Sequence, residues 1–508
     1  MKSYITTPIY YVNGAPHIGH AHTSTMADIL KRNRKALGYD TKLTTGCDEH
    51  GQKNQEAALE SGMPITEYLT MRSGEFQRLF DMINVDYDYF VHTSRPEHMR
   101  QVANVEQRMF DAGLIIKKQY SGLYCTGCEQ FKKTTDLTDE GNCPDHPNLG
   151  VEELDELNYF LNIEPYRQQL LEHIEENPKF VDPPIYRAEL KRMLAEPLED
   201  LCISRPKTRV SLGVELPFDN NYVTYVWFDA LFNYLTNLDW PKEGYEQWWQ
   251  AAEHTIGKDI LKTHGVYWPI MLMSIGESPP ARLSVHGHWV GPGGIKMSKS
   301  LGNVVDPIEV IEVVGTDALR YFLARNMRSD GDSNISLELV RQTYNSELGN
   351  KLGNLLSRAA KFSKKQFDDR VPTPGLFGSA DEIIRISVLE AVNGFARRIE
   401  MADIPRLTQQ LITVCDRMNN YFAEQAPWDL IKDPITDERC RTVIYVSLDC
   451  IRLVFEALRQ VIPMSSNAAL LMLNCLPNEN EIWQPALDSL PPETKLNEIE
   501  TLYPRITE

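Results

Sequence analysis

A chain of 508 residues with 42% apolar and 24% charged side chains is a soluble globular protein with room for roughly two to four domains. Its formal charge of −19, from 52 basic and 71 acidic side chains, argues against a generally basic nucleic-acid binder. The most apolar window, Val266 to Ile275, is shorter than the about 20 residues that cross a bilayer, and the first residues run directly into a strand. Neither a membrane span nor a leader peptide is expected, and a cytoplasmic location is. Nine cysteines, an odd number, make a disulfide framework improbable. Cys47, Cys202, Cys415, Cys440, Cys450 and Cys475 are scattered and read as small core or near-surface residues.

Residues 4 to 6 form a short buried strand, broken by Asn13-Gly14, and Pro16 suits the first turn of a helix running through Ala27 to Leu37. A strand feeding a helix through a glycine-containing loop aims backbone N–H groups and the positive end of the helix dipole at one spot, which favours phosphate. His17 and His20, three apart, share a face of that first turn, and Gly19 leaves room for a flat base against the backbone. A capped helix with two surface histidines is the plainer alternative. Thr41 to Thr45 is a second strand, ending in Gly46-Cys-Asp-Glu-His-Gly51. In an open α/β sheet ligands bind at the carboxyl ends of strands, so Asp48 and His50 fall where a substrate would sit. Asp48 either pairs with an α-ammonium group or caps the helix starting near Gln52, or does both. Residues 52 to 115 are mostly helical, including Arg95 to Ala112, with Gly113 as a stop.

Cys125-Thr-Gly-Cys128 and Cys143-Pro-Asp-His146 follow, fourteen residues apart. Two short chelating turns supply the four tetrahedral positions of a structural zinc ion, and a redox Cys-x-x-Cys does not explain the second pair. Residues 151 to 224 continue this insertion, through Pro183-Pro184, Arg205-Pro-Lys-Thr-Arg209 and Gly213-Val-Glu-Leu-Pro217. Tyr225 to Tyr234 starts as a strand and becomes a helix, with Trp227, Ala230 and Tyr234 on one side. Ile260, His264 and Trp268 fall at helical spacing, which by itself suits core packing as well as a pocket.

The glycine-rich loop Gly291 to Asn303 carries Lys296, Ser298, Lys299 and Ser300. Two ammonium groups on such a loop suit a polyanionic leaving group such as pyrophosphate. A helix from Asp306 to Asn326 leads off the first domain, and 335 to 508 reads as a helical bundle. Within it Asn350, Asn354 and Arg358 are one turn apart on one face, and Trp428 could stack on an unstacked base. Residues 341 to 370 form a basic stripe: Arg341, Lys351, Arg358, Lys361, Lys364, Lys365 and Arg370 against Glu347, Asp368 and Asp369. Such a stripe on an acidic body can bind tRNA.

His17-Ile-Gly-His20 followed by Lys296-Met-Ser-Lys-Ser300 resembles the two signatures of the class I aminoacyl-tRNA synthetases, in that order. The zinc knuckle, the two pocket segments and the anticodon face are similar to those of the methionyl-tRNA synthetase family. The resemblance implies an α/β fold: a Rossmann-type parallel-sheet catalytic domain (residues 1–115 and 225–334), an inserted zinc-knuckle connective domain (116–224) and an all-α anticodon-binding bundle (335–508). That insertion is far smaller than one carrying a separate editing domain. The implied activity joins methionine to AMP from MgATP and passes it to tRNA(Met). By the same resemblance His17, His20, Lys296 and Lys299 are catalytic, and Gly19, Ser298, Glu215 and Asp259 join them around ATP, the last two near the ribose. Ile9, Tyr11, Trp227, Ala230, Tyr234, Ile260, His264 and Trp268 enclose the methionine side chain, with Asp48 on its ammonium group. Thr263 stands where many relatives carry phenylalanine. Cys125, Cys128, Cys143 and His146 hold zinc, and Asn350, Asn354, Arg358 and Trp428 read the CAU anticodon. The chain ends without an OB-like dimerisation domain, so a monomer is expected.

Overall fold

Lys2–Tyr11 (β1) is rich in β-branched and aromatic residues and is buried almost throughout, which suits the centre of a sheet. The computed structural model describes residues 1–507 except 126–129, 133, 135–136, 139, 145–149, 296, 298–303, 329 and 479–480. After β1 come Ile18–Ala36 (α1), Asp40–Asp48 (β2), Gln52–Ser61 (α2), Ile65–Met82 (α3), Tyr89–His92 (β3) and Pro96–Asp111 (α4). Ile115–Cys125 (β4) and Val151–Leu161 (β5) pair antiparallel over their full length in a separate four-stranded sheet. Val181–Asp182 (β6), Val226–Leu231 (α5), Ala252–Gly257 (β7) and Arg282–His286 (β8) follow.

The main sheet is parallel and runs β3-β2-β1-β7-β8-β6. Strand order reverses between β1 and β7, so the ligand crevice of such a fold opens at their carboxyl ends. β6 comes from inside the stretch expected to be one insertion: residues 181–182 form the edge of the main sheet, whereas β4 and β5 lie in the separate antiparallel sheet. Strand β1 also runs past the expected Tyr4 to Thr6. Its pairing to β2 slips between Thr6 and Ile9, after which Ile9, Tyr10 and Tyr11 lie opposite Gly46, Cys47 and Asp48. A bulge of this kind re-aims the side chains beyond it.

The helix expected from Asp306 to Asn326 is two, Pro307–Val314 (α6) and Thr316–Asn326 (α7). Gly315 breaks it at φ 86°, a conformation that suits glycine. Asn354–Gln366 (α8), Ser379–Asn393 (α9), Ile404–Gln425 (α10), Asp437–Leu458 (α11) and Pro463–Met472 (α12) build the helical bundle. Residues 473 to 507 form no further helix or strand among the described residues; they run back over the molecule, and Trp483 N donates to Ala36 O at 2.8 Å. One face of the sheet shares a continuous apolar core with the bundle, and the other packs on α4, α5 and the insertion. Asn33 near the end of α1 joins the two units, donating to Phe395 O (2.8 Å) and accepting from Ile399 N (3.2 Å). Among the described residues no helix is long and apolar enough to cross a membrane.

Candidate active site

His17 is the N-cap of α1: its Nδ1 accepts from Gly19 N at 3.1 Å, while His20 Nδ1 accepts from His17 N at 3.0 Å. The two side chains thus close a reciprocal cap of the kind usually made by Ser and Glu. Their rings stack with centroids 3.7 Å apart, and Tyr10 and Phe76 pack on His20 at 4.5 and 5.0 Å. Because each Nδ1 accepts, each neutral ring carries its proton on Nε2. Burial, reinforced by His17, holds His20 well below the ordinary histidine range, so it stays neutral. A Cβ on Gly19 would meet His17 Cε1 and Nδ1 at 3.0 and 3.1 Å, so the bare glycine makes room for this cap.

Asp48, the last residue of β2, is buried and faces the same crevice end as Tyr11 of β1. It does not cap α2, whose N-cap is Gly51 with no side-chain bond. The chain turns too soon: Asp48 Oδ1 instead accepts from His50 N (3.2 Å) and Thr93 Oγ1 (3.3 Å).

The structure brings the rings of Tyr11, Trp227, Tyr234, His264 and Trp268 near one another as an aromatic wall, on local structure that differs from the expected helices. Tyr222–Thr224 is the strand and α5 starts at Val226, carrying Trp227 and Ala230. Ile260, His264 and Trp268 do not lie on one α-helix: Lys258–Ile260 is a 3-10 turn, Thr263–Tyr267 a π-helical turn, and an α-helix begins at Trp268. The small Thr263 and Gly265 accompany the wider turn, and Gly265 lies so close to Leu190 that a Cβ there would meet it at 2.6 Å. Trp227 meets Tyr11 and His264 edge-on at 6.0 and 6.3 Å. His264 Nδ1–H donates to Ile260 O (3.0 Å), which leaves Nε2 to accept the Tyr234 hydroxyl at 2.9 Å. Burial pulls His264 down to about 4, so this neutral tautomer persists at pH 7. Trp268 is fully buried behind Tyr234 and gives its indole N–H to His254 Nε2 at 3.1 Å. His254 then donates through Nδ1 to Thr6 Oγ1 (2.7 Å), and its ring stacks on Tyr234 at 4.2 Å. Ile9 and Tyr11 are half-buried beyond the β1 bulge.

The two carboxylates expected near the ribose separate. Asp259 follows β7 and its Oδ1 accepts from His288 Nε2 at 3.0 Å. Glu215 is exposed and ion-paired to Lys207 at 2.6 Å, and no hydrogen bond or ion pair joins it to Asp259 or His17 among the described residues. Lys296, Ser298 and Lys299 lie outside the described residues. So do Cys128 and His146; Cys125, the end of β4, and Cys143 are described and fully buried.

On the bundle, Asn350, Asn354 and Trp428 are exposed and Arg358 half-buried. The Arg358 guanidinium sits over the rings of Phe422 and Trp428 at 4.7 and 5.8 Å. The backbone differs from the expected α-helix: Tyr344–Gly353 is π-helical and α8 starts at Asn354. Gly353 abuts Tyr503, which a Cβ would meet at 2.9 Å, so the returning C-terminal segment packs where this turn widens. The basic stripe is partly neutralised, with Arg341 bonded to Glu338 and Lys351 to Asp416.

Sequence reading missed a second layer: Thr6, His98, Asp229 and His254, which hold the wall and the Asp48 turn from behind. Their signal was faint: only Asp229 stands out as a polar residue in an apolar run, while Thr6, His98 and His254 have polar neighbours in the sequence.

A parallel sheet whose switch point carries the His17–His20 cap fits the catalytic domain of a class I aminoacyl-tRNA synthetase, the class the family model assigns. A family model described as "tRNA synthetases class I (M)" matches residues 3–153 and 149–360, and one described as "Anticodon binding domain of methionyl tRNA ligase" matches 371–508. The chain is 37% identical to the methionine–tRNA ligase of Clostridium tetani over 99% of its own length and 78% of that protein. It is 37% identical to that of Rickettsia felis over 92% and 91% of the two chains. The solved methionyl-tRNA synthetase of Mycobacterium tuberculosis in complex with methionyl-adenylate superposes with a TM-score of 0.91 at 34% identity, covering 99% of this chain and all of that one. The free form of the same enzyme superposes at 0.85, with 32% identity over 100% and 98%. The chain belongs to the methionine–tRNA ligase family and is a ligase of that activity.

Proposed function

We propose that the reaction runs through the histidine, lysine and aromatic residues singled out in the sequence. The carboxylate of methionine attacks the α-phosphorus of ATP, which enters with Mg2+, and pyrophosphate leaves. The chain's work is positioning and charge stabilisation. His17 and His20 donate Nε2–H to phosphate oxygens, and Lys296 and Lys299 hold the departing β- and γ-phosphates, with Gly19, Ser298, Asp259 and Glu215 around the nucleotide. Asp48 takes the substrate ammonium. Tyr11, Trp227, Ala230, Tyr234, Ile260 and His264, with Ile9 at the rim and Trp268 behind, enclose the thioether, which gains from sulfur–ring contacts. The 2′-OH of the terminal adenosine of tRNA(Met) then attacks the activated carbonyl and AMP leaves. The observation that carries this reading is the reciprocal histidine cap, which fixes both protons on Nε2 at the sheet's switch point. Lys299→Ala tests it: adenylation slows while methionine affinity changes little, and an unchanged exchange rate would refute the lysine's role.

We further infer that Cys125, Cys128, Cys143 and His146 hold one zinc ion that cross-links the insertion. Two fully buried cysteines, one from each half of the expected knuckle, fit a soft metal ion better than a solvent-facing redox pair. One zinc per chain by atomic emission supports this, and a metal-free, fully folded protein contradicts it. Asn350, Asn354, Arg358 and Trp428 read the CAU anticodon, the half-buried Arg358 guanidinium over the exposed Trp428 ring being the support. Charging of a tRNA with a changed anticodon as fast as tRNA(Met) would refute that assignment. Gel filtration at the mass of one chain would support the monomer.

A further inference from the structure

Asp229 lies on α5 between Trp227 and Ala230, yet it faces away from the wall those residues form and is buried. Its Oδ2 accepts from His50 Nδ1 at 2.5 Å and its Oδ1 from His98 Nε2 at 2.8 Å. Burial alone would raise its pKa, but His50 and His98 outweigh that and hold it ionised. His98 is itself oriented, with Nδ1 2.9 Å from Thr236 Oγ1 on the segment just after α5. His50 is the residue whose backbone N–H bonds Asp48 Oδ1. Asn54 clamps the same turn, giving its amide to Asp48 O and His50 O at 2.8 and 2.7 Å. A continuous set of bonds therefore runs from the Asp48 carboxylate through His50 to Asp229 and into the helix bearing Trp227.

Methionine presents an ammonium group at one end and a thioether at the other. A carboxylate that fixes the Asp48 turn to the Trp227 helix sets the span between the two groups that recognise those ends. We propose that Asp229 is a positioning residue for amino-acid recognition, acting through His50 to hold Asp48 at the distance from the aromatic wall that the substrate ammonium requires. The proposal rests on the reading of Asp48 as the ammonium acceptor.

The test measures dissociation constants of the full chain by fluorescence titration for L-methionine and for 4-(methylthio)butanoate, which lacks only the amine. The butanoate constant divided by the methionine constant reports amine recognition and is insensitive to a uniform loss of active protein. Asp48→Asn is expected to lower the ratio at least tenfold. Asp229→Asn, which keeps the shape and removes the charge, is expected to lower it at least fivefold with butanoate affinity unchanged, and the double variant to be no worse than Asp48→Asn. His50→Leu is expected to act like Asp229→Asn, whereas His50→Asn, whose amide can still donate to Asp229, retains most of the ratio; this pair serves if Asp229→Asn does not fold. A ratio lowered by Asp48→Asn but untouched by Asp229→Asn or His50→Leu overturns the proposal alone. Equal weakening of both ligands makes Asp229 merely structural and also overturns it. A ratio unchanged in Asp48→Asn overturns the ammonium reading and the proposal together.

Discussion

Gly19→Ala separates the chemical role of the histidine cap from its structural one. The added Cβ would sit 3.0 Å from His17 Cε1 and 3.1 Å from Nδ1, closer than ordinary contact, and His17 is exposed, so its ring swings away. The bond from Gly19 N to His17 Nδ1 is then lost, which costs about 1 kcal/mol as a missing N-cap. Alanine in place of glycine inside a helix returns roughly 0.8–1 kcal/mol. The two terms nearly cancel, and the melting temperature should move by no more than about 2 °C. The reaction has no such compensation: a displaced His17 no longer points Nε2–H at the phosphate, and loss of one aimed donor typically costs about 100- to 1000-fold in rate. Methionine-dependent ATP–pyrophosphate exchange and thermal melting on the same preparation check both halves. Exchange within threefold of wild type, or a fall that tracks unfolding, would refute the reasoning.

Tyr234→Phe removes the hydroxyl that satisfies buried His264 Nε2, at a cost of about 1–3 kcal/mol where that contact is needed. We expect kcat/KM for methionine to fall tenfold or more while KM for ATP stays put; an equal change in both would place Tyr234 outside the amino-acid site. Acid should destabilise the fold early. His264 and His286 are both pulled down to about 4 by burial, whereas an unfolded histidine keeps its proton up to about 6.5. Between those values the unfolded chain binds more protons, so stability is full above pH 6.5 and falls toward pH 4, by about 1.4 kcal/mol per unit for each group. Urea midpoints measured from pH 7 to 4.5 should drop, less steeply in His264→Gln; a flat profile contradicts the buried neutral histidines.

What was legible in the sequence was the chemistry that sits on short local spacings. His17 and His20 needed only a helix start to be neighbours, and Asp48 only the end of a strand. The backbone around them was less readable, because it depends on partners far along the chain. The β1 bulge after Thr6 is set by pairing to β2, and β6 by pairing to β8, more than a hundred residues later. Both π-helical stretches, Thr263–Tyr267 and Tyr344–Gly353, accompany close approaches at glycines, Gly265 to Leu190 and Gly353 to Tyr503, that no local pattern encodes. Asp229 and His254 escaped notice for the same reason. Asp229 is a single polar residue in an apolar string and His254 one of three polar residues in a buried strand, and their meaning comes from imidazoles and an indole brought in by other elements.

Two histidines and a lysine loop are proposed to serve one bound nucleotide beside the aromatic wall that takes the methionine side chain. ATP–pyrophosphate exchange, run separately with each of the twenty amino acids, tests that most directly. Exchange that depends on methionine is the expected result. Exchange without any amino acid, exchange driven best by another one, or none at all would contradict it.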